Sequence, residues 1–374
     1  MDQRHLSHKD TVNLGSFYTP EWLVDIVYDL IRKHVPAHDT YYILDTSCGY
    51  GGFLRGDKAI GADIDKKAIE TARSTLPNYT YFQHNSLFDI SRSKYRLDKN
   101  AKMIIVGNPP YNDTTSIIRS DIKQVKFDRD ADIYSRDLGI SFLMSYDKLE
   151  ADYVCVLHPL SYLIKKANFE ALWQFRNHYK LTDAVVFSSG VFSATSKTTS
   201  FPIIIAFYER NNAGMDYQYI QDYKFKTQDG KEFSINQFDS IGHYVSKYPN
   251  HKAVSEEDTV AYFYTMRDIN ALKRTATFLT KENYNAVRVT EQKLPYYCYV
   301  DVFKDFIPHI PYYFGNSDIM IDDAGFKEMA DLFMARSLQK HPNLKFPGRT
   351  KTYNDQDKQI EGYFRHLLGV HYVD

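Results

Sequence analysis

The segment Asn108-Pro109-Pro110-Tyr111 carries the residue types that most directly suggest chemistry. Two successive prolines stiffen the backbone and remove two N–H donors, so the segment presents hydrogen-bond acceptors instead. The side-chain oxygen of Asn108 and the carbonyl of Pro109 could bind both hydrogens of a planar amino group and pull its nitrogen toward a tetrahedral, more nucleophilic shape. Tyr111 adds a flat face for stacking. The simpler alternative is a proline turn that ends a strand.

A glycine turn with an acidic partner precedes that segment. Asp45-Thr46-Ser47-Cys48-Gly49-Tyr50-Gly51-Gly52-Phe53 follows a short apolar run, and its glycines allow a sharp turn and a close approach to a ligand. Asp63 ends the next predicted strand, where a carboxylate can accept hydrogen bonds from ribose hydroxyls. The turn lacks the full GxGxxG spacing, which disfavours a dinucleotide. A structural strand-to-helix turn is the alternative.

The first 210 residues alternate short apolar strands with helical segments. Thr19 suits a helix N-cap, Pro20 the first helical position and Glu21 the positive end of the helix. This alternation predicts an α/β fold with a doubly wound, mostly parallel sheet and helices on both faces. The predicted strands are 41–44, 60–64, 103–106, 153–157 and 203–207, and a helix is predicted at 66–74.

The alternation of strands and helices ends at Asn211-Asn212-Ala213-Gly214, which we interpret as a linker. Short tyrosine-rich runs follow, with one helical patch at about 326–339. The sequence therefore predicts two domains, 1–212 and 213–374, the second being a mixed α+β domain. A polar segment at 112–137 is either a mobile loop that closes on substrate or a solvated connection. The hydroxyl-rich segment 193–200 is either a phosphate contact or a plain hairpin loop.

Composition excludes several classes of protein. The chain has 374 residues with 46 basic and 47 acidic side chains, so it does not hold polyanions by bulk charge. Its 3 cysteines are far apart and form no CxxC pair, which argues against a disulfide scaffold or a zinc site and predicts a reducing cytoplasm. No signal peptide, membrane span or metal-ligand spacing is present. The unusual feature is aromatic, with 31 Tyr and 24 Phe.

Taken in order, these motifs resemble those of gamma-class adenine-N6 DNA methyltransferases of restriction–modification systems. Asn13-Leu14-Gly15-Ser16-Phe17-Tyr18-Thr19-Pro20 is similar to that class's N-terminal cofactor motif, residues 45–53 to its DPACGSGGF-type turn, and residues 108–111 to its NPPY catalytic motif. The resemblance covers roughly residues 13–210. It implies a Rossmann-like methyltransferase fold, S-adenosyl-L-methionine as cofactor and transfer of its methyl group to a flipped-out adenine in double-stranded DNA.

The resemblance also implies a role for each matching residue. Thr19 and Pro20 contact the methionine part of the cofactor; Asp45, Ser47 and Gly49 border it; Asp63 and the adjacent Ile64 bind its nucleoside part. Asn85-Ser86 stands where the family usually begins with Asp, so the contact with the cofactor's adenine lacks a charge. Phe142 packs on that adenine, while Tyr111 and Phe192 hold the target base. The catalytic residues are Asn108, Pro109, Pro110 and Tyr111, and Asn108 is also expected to contact the cofactor.

The implied reaction is direct displacement, and the implied setting is a bacterial or archaeal cytoplasm, near the nucleoid, with a cognate restriction endonuclease as a further partner. No Pro-Cys dipeptide exists, which argues against cytosine-C5 chemistry. Alternatives are a protein glutamine-N5 methyltransferase, an RNA adenine methyltransferase and a noncatalytic DNA-binding subunit. The C-terminal region is expected to read DNA, with candidate cationic contacts at Lys273, Arg274, Arg336, Lys340, Lys345, Arg349 and Lys351.

Overall fold

A computed structural model of the protein describes residues 19–111, 128–192, 200–342 and 353–374. The chain divides into two compact units, Met1–Ser234 (unit 1) and Ile235–Asp374 (unit 2). Several predictions lie outside the described residues: the part of the cofactor motif before Thr19, most of the loop 112–137, residues 193–199 of the hydroxyl-rich segment, and Lys345, Arg349 and Lys351.

Unit 1 is built on a nine-stranded sheet with the order β3-β2-β1-β4-β5-β7-β6-β8-β9. All neighbours from β3 to β5 are parallel, whereas β7 is antiparallel to both β5 and β6. The strands are β1 Tyr42–Asp45, β2 Ala59–Asp63, β3 Thr80–Gln83, β4 Met103–Gly107, β5 Tyr153–Pro159, β6 Tyr179–Ser188, β7 Pro202–Arg210, β8 Phe225–Thr227 and β9 Glu232–Phe233.

The strand order reverses beside β1, since the chain proceeds to β2 and β3 on one side and to β4 and β5 on the other. Leu44 of β1 is in register with Ile60 of β2 and with Ile105 of β4. Loops that follow β1 and β4 therefore meet at one edge of the sheet, at the place where open α/β sheets bind their ligands.

Flanking helices cover the sheet. They are α1 Glu21–His34, α2 Lys66–Thr75, α3 Leu138–Lys148, α4 Ser161–Ile164, α5 Lys166–Ala171, α6 Phe175–His178 and α7 Tyr217–Asp222. In α1, residues at helical spacing such as Leu23, Val27 and Ile31 are buried, which gives the helix one apolar face. Half-buried Trp22 on the same helix packs edge-on against Phe187 of β6, with ring centroids 6.2 Å apart.

The start of α1 corrects one expectation. The helix begins at Glu21, Pro20 takes the N-cap position, and no side chain caps the helix. The backbone carbonyl of Pro20 accepts the first helical hydrogen bond, from the N–H of Leu23 at 3.0 Å. Thr19 is therefore not the cap that its sequence position suggests. Its hydroxyl instead accepts a hydrogen bond from the side chain of Asn108.

Unit 2 is a mixed α+β domain with two small sheets. Strand β10 Asp239–Ser240 pairs with β14 Met320–Ile321, and β11 Ala261–Tyr264 lies between β12 Phe278–Leu279 and β13 Ala286–Val289. Its helices are α8 Ile269–Arg274, α9 Leu294–Phe303, α10 Asp323–Lys340 and α11 Gln356–Leu368. The fold class predicted from the sequence, an α/β fold with a doubly wound, mostly parallel sheet followed by a mixed α+β C-terminal domain, is confirmed.

The boundary between the units lies at Ser234, beyond the predicted linker at 211–214. The chain returns to the large sheet after that linker, because β8 pairs in parallel with β6 and β9 pairs with β8. That unit 2 reads DNA stays a prediction.

Aromatic rings cluster in the core of unit 2. Tyr299 is fully buried and donates its hydroxyl hydrogen to the carbonyl of Met320 at 2.6 Å. Its ring lies 5.2 to 6.0 Å from five other aromatic rings, those of Phe303, Phe326, Phe333, Tyr363 and Phe364. Each such pair contributes about 0.5–1.5 kcal/mol beyond burial.

Candidate active site

The ends of β1 and β4 bring Asp45 and Asn108 to the same edge of the sheet. Gly107, between β4 and Asn108, has φ +141°, and a Cβ atom built there would lie 2.7 Å from Oδ1 of Asp45. Only glycine combines that backbone conformation with so close a carboxylate. The catalytic segment predicted from the sequence therefore begins in contact with the start of the glycine turn.

Asp45 is a buried carboxylate with one unused oxygen. Its Oδ1 accepts a hydrogen bond from the N–H of Ser47 at 3.0 Å, while its Oδ2 and the Ser47 hydroxyl have no hydrogen-bond partner within the described part of the chain. Burial raises the pKa of Asp45 from 3.8 to about 8, and the charge of Asp63 adds to this shift. A buried carboxylate oxygen without a donor is suited to a cationic ligand group.

Asp63 organises the glycine turn. Its Oδ2 accepts from the N–H of Gly49 at 2.8 Å and its Oδ1 accepts from the N–H of Asp65 at 2.9 Å. Desolvation raises the pKa of Asp63, against the lowering effect of these backbone donors. Each carboxylate oxygen can accept a further hydrogen bond. The Ile64 side chain beside it is 49% exposed, which leaves an apolar surface next to the carboxylate.

A second glycine explains how close the turn lies to β2. A Cβ atom at Gly61 would stand 2.8 Å from Sγ of Cys48, so the turn packs directly on the strand that ends at Asp63. Cys48 is a buried free thiol, and its pKa is raised by burial, so it has structural rather than chemical use here.

Asn85 and Ser86 follow β3 and are held by local contacts. The Asn85 side-chain oxygen accepts from the N–H of Leu87 at 3.0 Å, and its amide group donates to the carbonyl of Asp128 at 2.6 Å. The Ser86 hydroxyl donates to the carbonyl of Thr46 at 2.7 Å and is buried. Ser86 therefore joins this segment to the glycine turn, and Asn85 retains one acceptor lone pair.

Asn108 presents an acceptor, as its sequence context predicts. Its side-chain nitrogen donates to the Thr19 hydroxyl at 3.2 Å, and its buried Oδ1 has no hydrogen-bond partner among the described residues. The contact with Thr19 orients the amide, because the nitrogen is committed and the oxygen is left for a donor. The structure thus joins two predicted motifs that lie far apart in the sequence.

Tyr111 is buried against the start of α3. A Cβ atom at Gly139 would lie 3.1 Å from Cβ of Tyr111 and 2.5 Å from the hydroxyl oxygen of Tyr162. The Tyr162 hydroxyl donates to Asp137, whose carboxylate caps α3 through the N–H of Gly139 at 3.0 Å. Gly139, Tyr162 and Asp137 therefore form the seat of Tyr111. None of these three contacts of Tyr111 is predicted by the sequence motifs.

A buried histidine, His158, packs against Tyr162 in this cluster. The ring of His158, at the end of β5, stacks on Tyr162 with centroids 5.4 Å apart and is hydrogen-bonded to the Tyr208 hydroxyl at 2.8 Å. Burial lowers the pKa of His158 to about 4, so the ring is neutral at physiological pH. His158 is a packing and hydrogen-bonding residue and does not titrate near pH 7.

Both predicted phenylalanines are buried. Phe142 lies in α3, with its ring 6.4 Å from that of Tyr146. Tyr146 is near the glycine turn, since the Thr46 hydroxyl lies 3.5 Å from its own. Phe192 follows β6 and packs edge-on against Phe187 at 6.1 Å. The placement of Phe192 beside a target base stays a prediction.

Within the described residues, no group of three or more His, Cys, Asp or Glu side chains is arranged to hold a metal ion. No described helix is long and apolar enough to cross a bilayer.

No protein-family model matches the sequence, and no curated protein matches it. Solved structures with similarity include a candidate RNA methyltransferase from Pyrococcus horikoshii, at 15% identity over 53% of this chain and 88% of that chain, with a TM-score of 0.36. The methyltransferase subunit of a type I restriction–modification system from Streptococcus thermophilus has 14% identity over 52% of this chain and 45% of that chain, with a TM-score of 0.36.

The type IIL restriction–modification enzyme MmeI, solved in complex with DNA, has 14% identity over 72% of this chain and 47% of that chain, with a TM-score of 0.38. This chain spans less than half the length of the two restriction–modification proteins. Likenesses this distant do not indicate a substrate.

Proposed function

We propose that this protein is an S-adenosyl-L-methionine-dependent DNA methyltransferase that methylates the N6 amino group of adenine. The observation that carries the proposal is the buried Oδ1 of Asn108, which has no partner among the described residues and is fixed by the Thr19 contact and by two prolines, at the same end of the sheet as the buried carboxyl group of Asp45. An acceptor so placed suits an amino group that must lose its planarity, and the carboxylate suits the ammonium of an amino-acid-like cofactor.

The residues of the site fit this cofactor. We assign the oxygens of Asp45 and Ser47, which have no hydrogen-bond partner among the described residues, to the methionine part of the cofactor, together with Thr19 and Pro20. The proposed contacts of the ribose and adenine are Asp63 and Ile64, together with Asn85, Ser86 and Phe142. When bound, S-adenosyl-L-methionine supplies a methyl group already activated by its sulfonium centre.

The protein aligns the amino group of the target base with the methyl group and raises the electron density on the amino nitrogen. Asn108 Oδ1 and the Pro109 carbonyl accept the two amino hydrogens, which raises electron density on the nitrogen. Tyr111, seated on Gly139, and Phe192 hold the base out of the duplex, which offsets an unstacking cost of a few kcal/mol.

Asp45 makes cofactor binding proton-linked. Its pKa in the folded chain is about 8, so at pH 7 it is mostly protonated, and a neighbouring ammonium lowers that pKa. We expect binding of S-adenosyl-L-methionine at pH 7 to release close to one proton, measured by calorimetry in buffers of different ionisation enthalpy. Asp45→Asn should bind more weakly and release none. Equal proton release by both proteins would contradict this role of Asp45.

The same pKa fixes how Asp45 affects stability. Because the folded-state pKa lies above its ordinary value of 3.8, the contribution of protonated Asp45 is full below pH ~4 and is lost as the pH rises toward 8. Asp45→Asn has no carboxyl group to ionise and therefore does not lose stability in this way. Without cofactor, the melting temperature of the variant should change less than that of the parent between pH ~4 and pH 8.

The test of the proposed function is methyl transfer from labelled cofactor to DNA, RNA and protein in parallel, followed by sequencing of methylated adenines in cellular DNA. Label in DNA at the adenine N6 position supports the proposal and defines the sequence that a cognate restriction endonuclease would otherwise cut. Label in RNA or on protein glutamine would instead support one of the other amino-methyltransferase functions. No transfer to any substrate by a chain that binds the cofactor would support a noncatalytic subunit.

A further inference from the structure

The three-stranded sheet of unit 2 has ends of different charge. At one end the chain leaves β11 after Tyr264, forms residues 265–276 including α8, and returns to β12, where the N–H of Tyr264 donates to the carbonyl of Thr277 at 2.8 Å. Helix α8 has six residues and is only ~9 Å long, so the whole segment stays at this end of the sheet.

Three exposed cations lie on that segment: Arg267, Lys273 and Arg274. None of them makes an ion pair or a side-chain hydrogen bond within residues 19–111, 128–192, 200–342 and 353–374. The only acidic residue of the segment, Asp268, is buried and caps α8 by accepting from the N–H of Ala271 at 2.7 Å. The positive charge at this end is therefore not neutralised by its neighbours.

Other candidate cations are already used by the fold. Lys340 lies 2.9 Å from a carboxylate oxygen of Asp305 and also contacts Asp301, and Arg336 lies 3.4 Å from Asp357. These pairs occupy the cations, whereas Lys273 and Arg274 have no such partners. The structure thus distinguishes ion-paired from unpaired cations among the described candidates, which the sequence could not do.

Two exposed tyrosines stand at the same end of the sheet. Tyr248 is 57% exposed and Tyr284 is 89% exposed. Backbone hydrogen bonds fix both beside the basic segment: the N–H of Met266 donates to the carbonyl of Lys247 at 2.9 Å, and the N–H of Thr265 donates to the carbonyl of Asn285 at 2.9 Å. We call Arg267, Lys273, Arg274, Tyr248 and Tyr284 the basic end.

The opposite end of the sheet carries charges of both signs. The exposed Glu256, Glu257 and Asp258 lie shortly before β11, the exposed Lys252 and Lys281 lie in the neighbouring connections, and the guanidinium of Arg288 on β13 is paired with Glu282 at 2.8 Å. Cations without an exposed acidic residue in the same segment are therefore concentrated at the basic end, and such a local concentration attracts a polyanion although the 374-residue sequence has a formal net charge of only −1.

We propose that the basic end is a contact surface for the phosphate backbone of duplex DNA, with the two tyrosine hydroxyls as additional donors. Unpaired Lys and Arg side chains bind phosphates by releasing counterions, and tyrosine hydroxyls are frequent phosphate partners. The choice of DNA over another polyanion rests on the proposed function. The surface itself rests only on the charges, exposure and hydrogen bonds of unit 2.

The test compares two double variants of the full-length chain. Lys273→Gln with Arg274→Gln removes two cations from the basic end, and Lys252→Gln with Lys281→Gln removes two exposed cations from the other side of the same sheet. Affinity for a short fluorescent DNA duplex is measured by anisotropy over a range of salt concentrations, without cofactor. Duplex RNA and single-stranded DNA of equal length serve as competitors.

We expect the basic-end variant to flatten the slope of log affinity against log salt by ~1.8, at ~0.9 per lost phosphate contact, and to weaken binding by roughly an order of magnitude per contact at ~0.1 M salt. The control variant should match the parent. Equal losses in both variants, no loss in the basic-end variant, or preferential binding of RNA would overturn the proposal. Methyl transfer to DNA that persists in those cases would leave the proposed function standing.

Discussion

Replacing Asn108 with alanine is expected to abolish methyl transfer while leaving cofactor binding nearly intact. The variant loses the only described side-chain acceptor at the end of β4, and single groups that stabilise developing charge are worth roughly 10²–10³-fold in rate. Turnover is measured with labelled cofactor and saturating DNA, and cofactor affinity by calorimetry. Cofactor affinity should change little, because the predicted cofactor contacts are dominated by Asp45, Asp63 and their neighbours.

Asn108→Asp is the informative companion variant. A carboxylate keeps an acceptor for the amino group and can itself accept from the Thr19 hydroxyl, so measurable turnover should return. Thr19→Val tests orientation, since it removes the hydroxyl that holds the Asn108 amide at 3.2 Å. Full activity in Asn108→Ala would remove the basis for an amino-methyltransferase assignment.

Gly107→Ala is expected to damage both stability and cofactor binding. The new methyl group would sit 2.7 Å from Oδ1 of Asp45, and the residue would be held at φ +141°. Backbone strain of this kind costs about 1–3 kcal/mol. Asp45 cannot move away without losing its hydrogen bond from Ser47, so the carboxylate and the glycine turn should shift together.

The measurements are thermal unfolding and cofactor titration. Gly362→Ala is the matched control, because a Cβ atom at Gly362, within α11, meets no other atom within 4 Å. That substitution should be neutral or stabilising by up to ~1 kcal/mol, as alanine favours a helix. If Gly107→Ala behaves like Gly362→Ala in both measurements, the contact between the two loops is not important for the site.

The central strands could be predicted because burial on both faces makes them continuous apolar runs. β1, β2, β4, β5 and β7 all lie within a few residues of their predicted bounds. The strands that were missed are short or carry polar residues. β3 has alternating burial at the edge of the sheet, and β8 and β9 have three and two residues.

β6 was missed for a different reason. A register shift between Leu181 and Asp183 breaks its alternation and places an acidic residue in a strand. Asp183 is tolerated because Lys33 and His34 of α1 contact it at 2.6 and 2.8 Å; partial burial raises its pKa, but the hydrogen bonds with these two side chains bring the pKa below the ordinary value. Such compensation comes from a helix about 150 residues earlier in the chain, and no local pattern records it.

In the candidate site, too, local sequence patterns predict some residues, whereas contacts between distant parts of the chain could not be predicted. The motifs predict Asp45, Asp63 and Asn108 as site residues because their residue types and order are distinctive. The use of the Thr19 hydroxyl could not be predicted, since a threonine before proline and glutamate has the local pattern of a helix cap. Its partner is Asn108, 89 positions away in the sequence. The seat of Tyr111 likewise depends on contacts made only after folding.

The distribution of aromatic residues also provides a built-in optical probe. The chain contains only 2 tryptophans, Trp22 and Trp173, and both belong to unit 1. Trp173 is 51% exposed, whereas half-buried Trp22 packs on Phe187, so a change in tryptophan emission should chiefly follow the separation of α1 from β6. Unit 2 emits through tyrosine alone. Selective excitation of tryptophan can therefore follow unfolding of unit 1 without an added label, while tyrosine emission also includes the aromatic core around Tyr299.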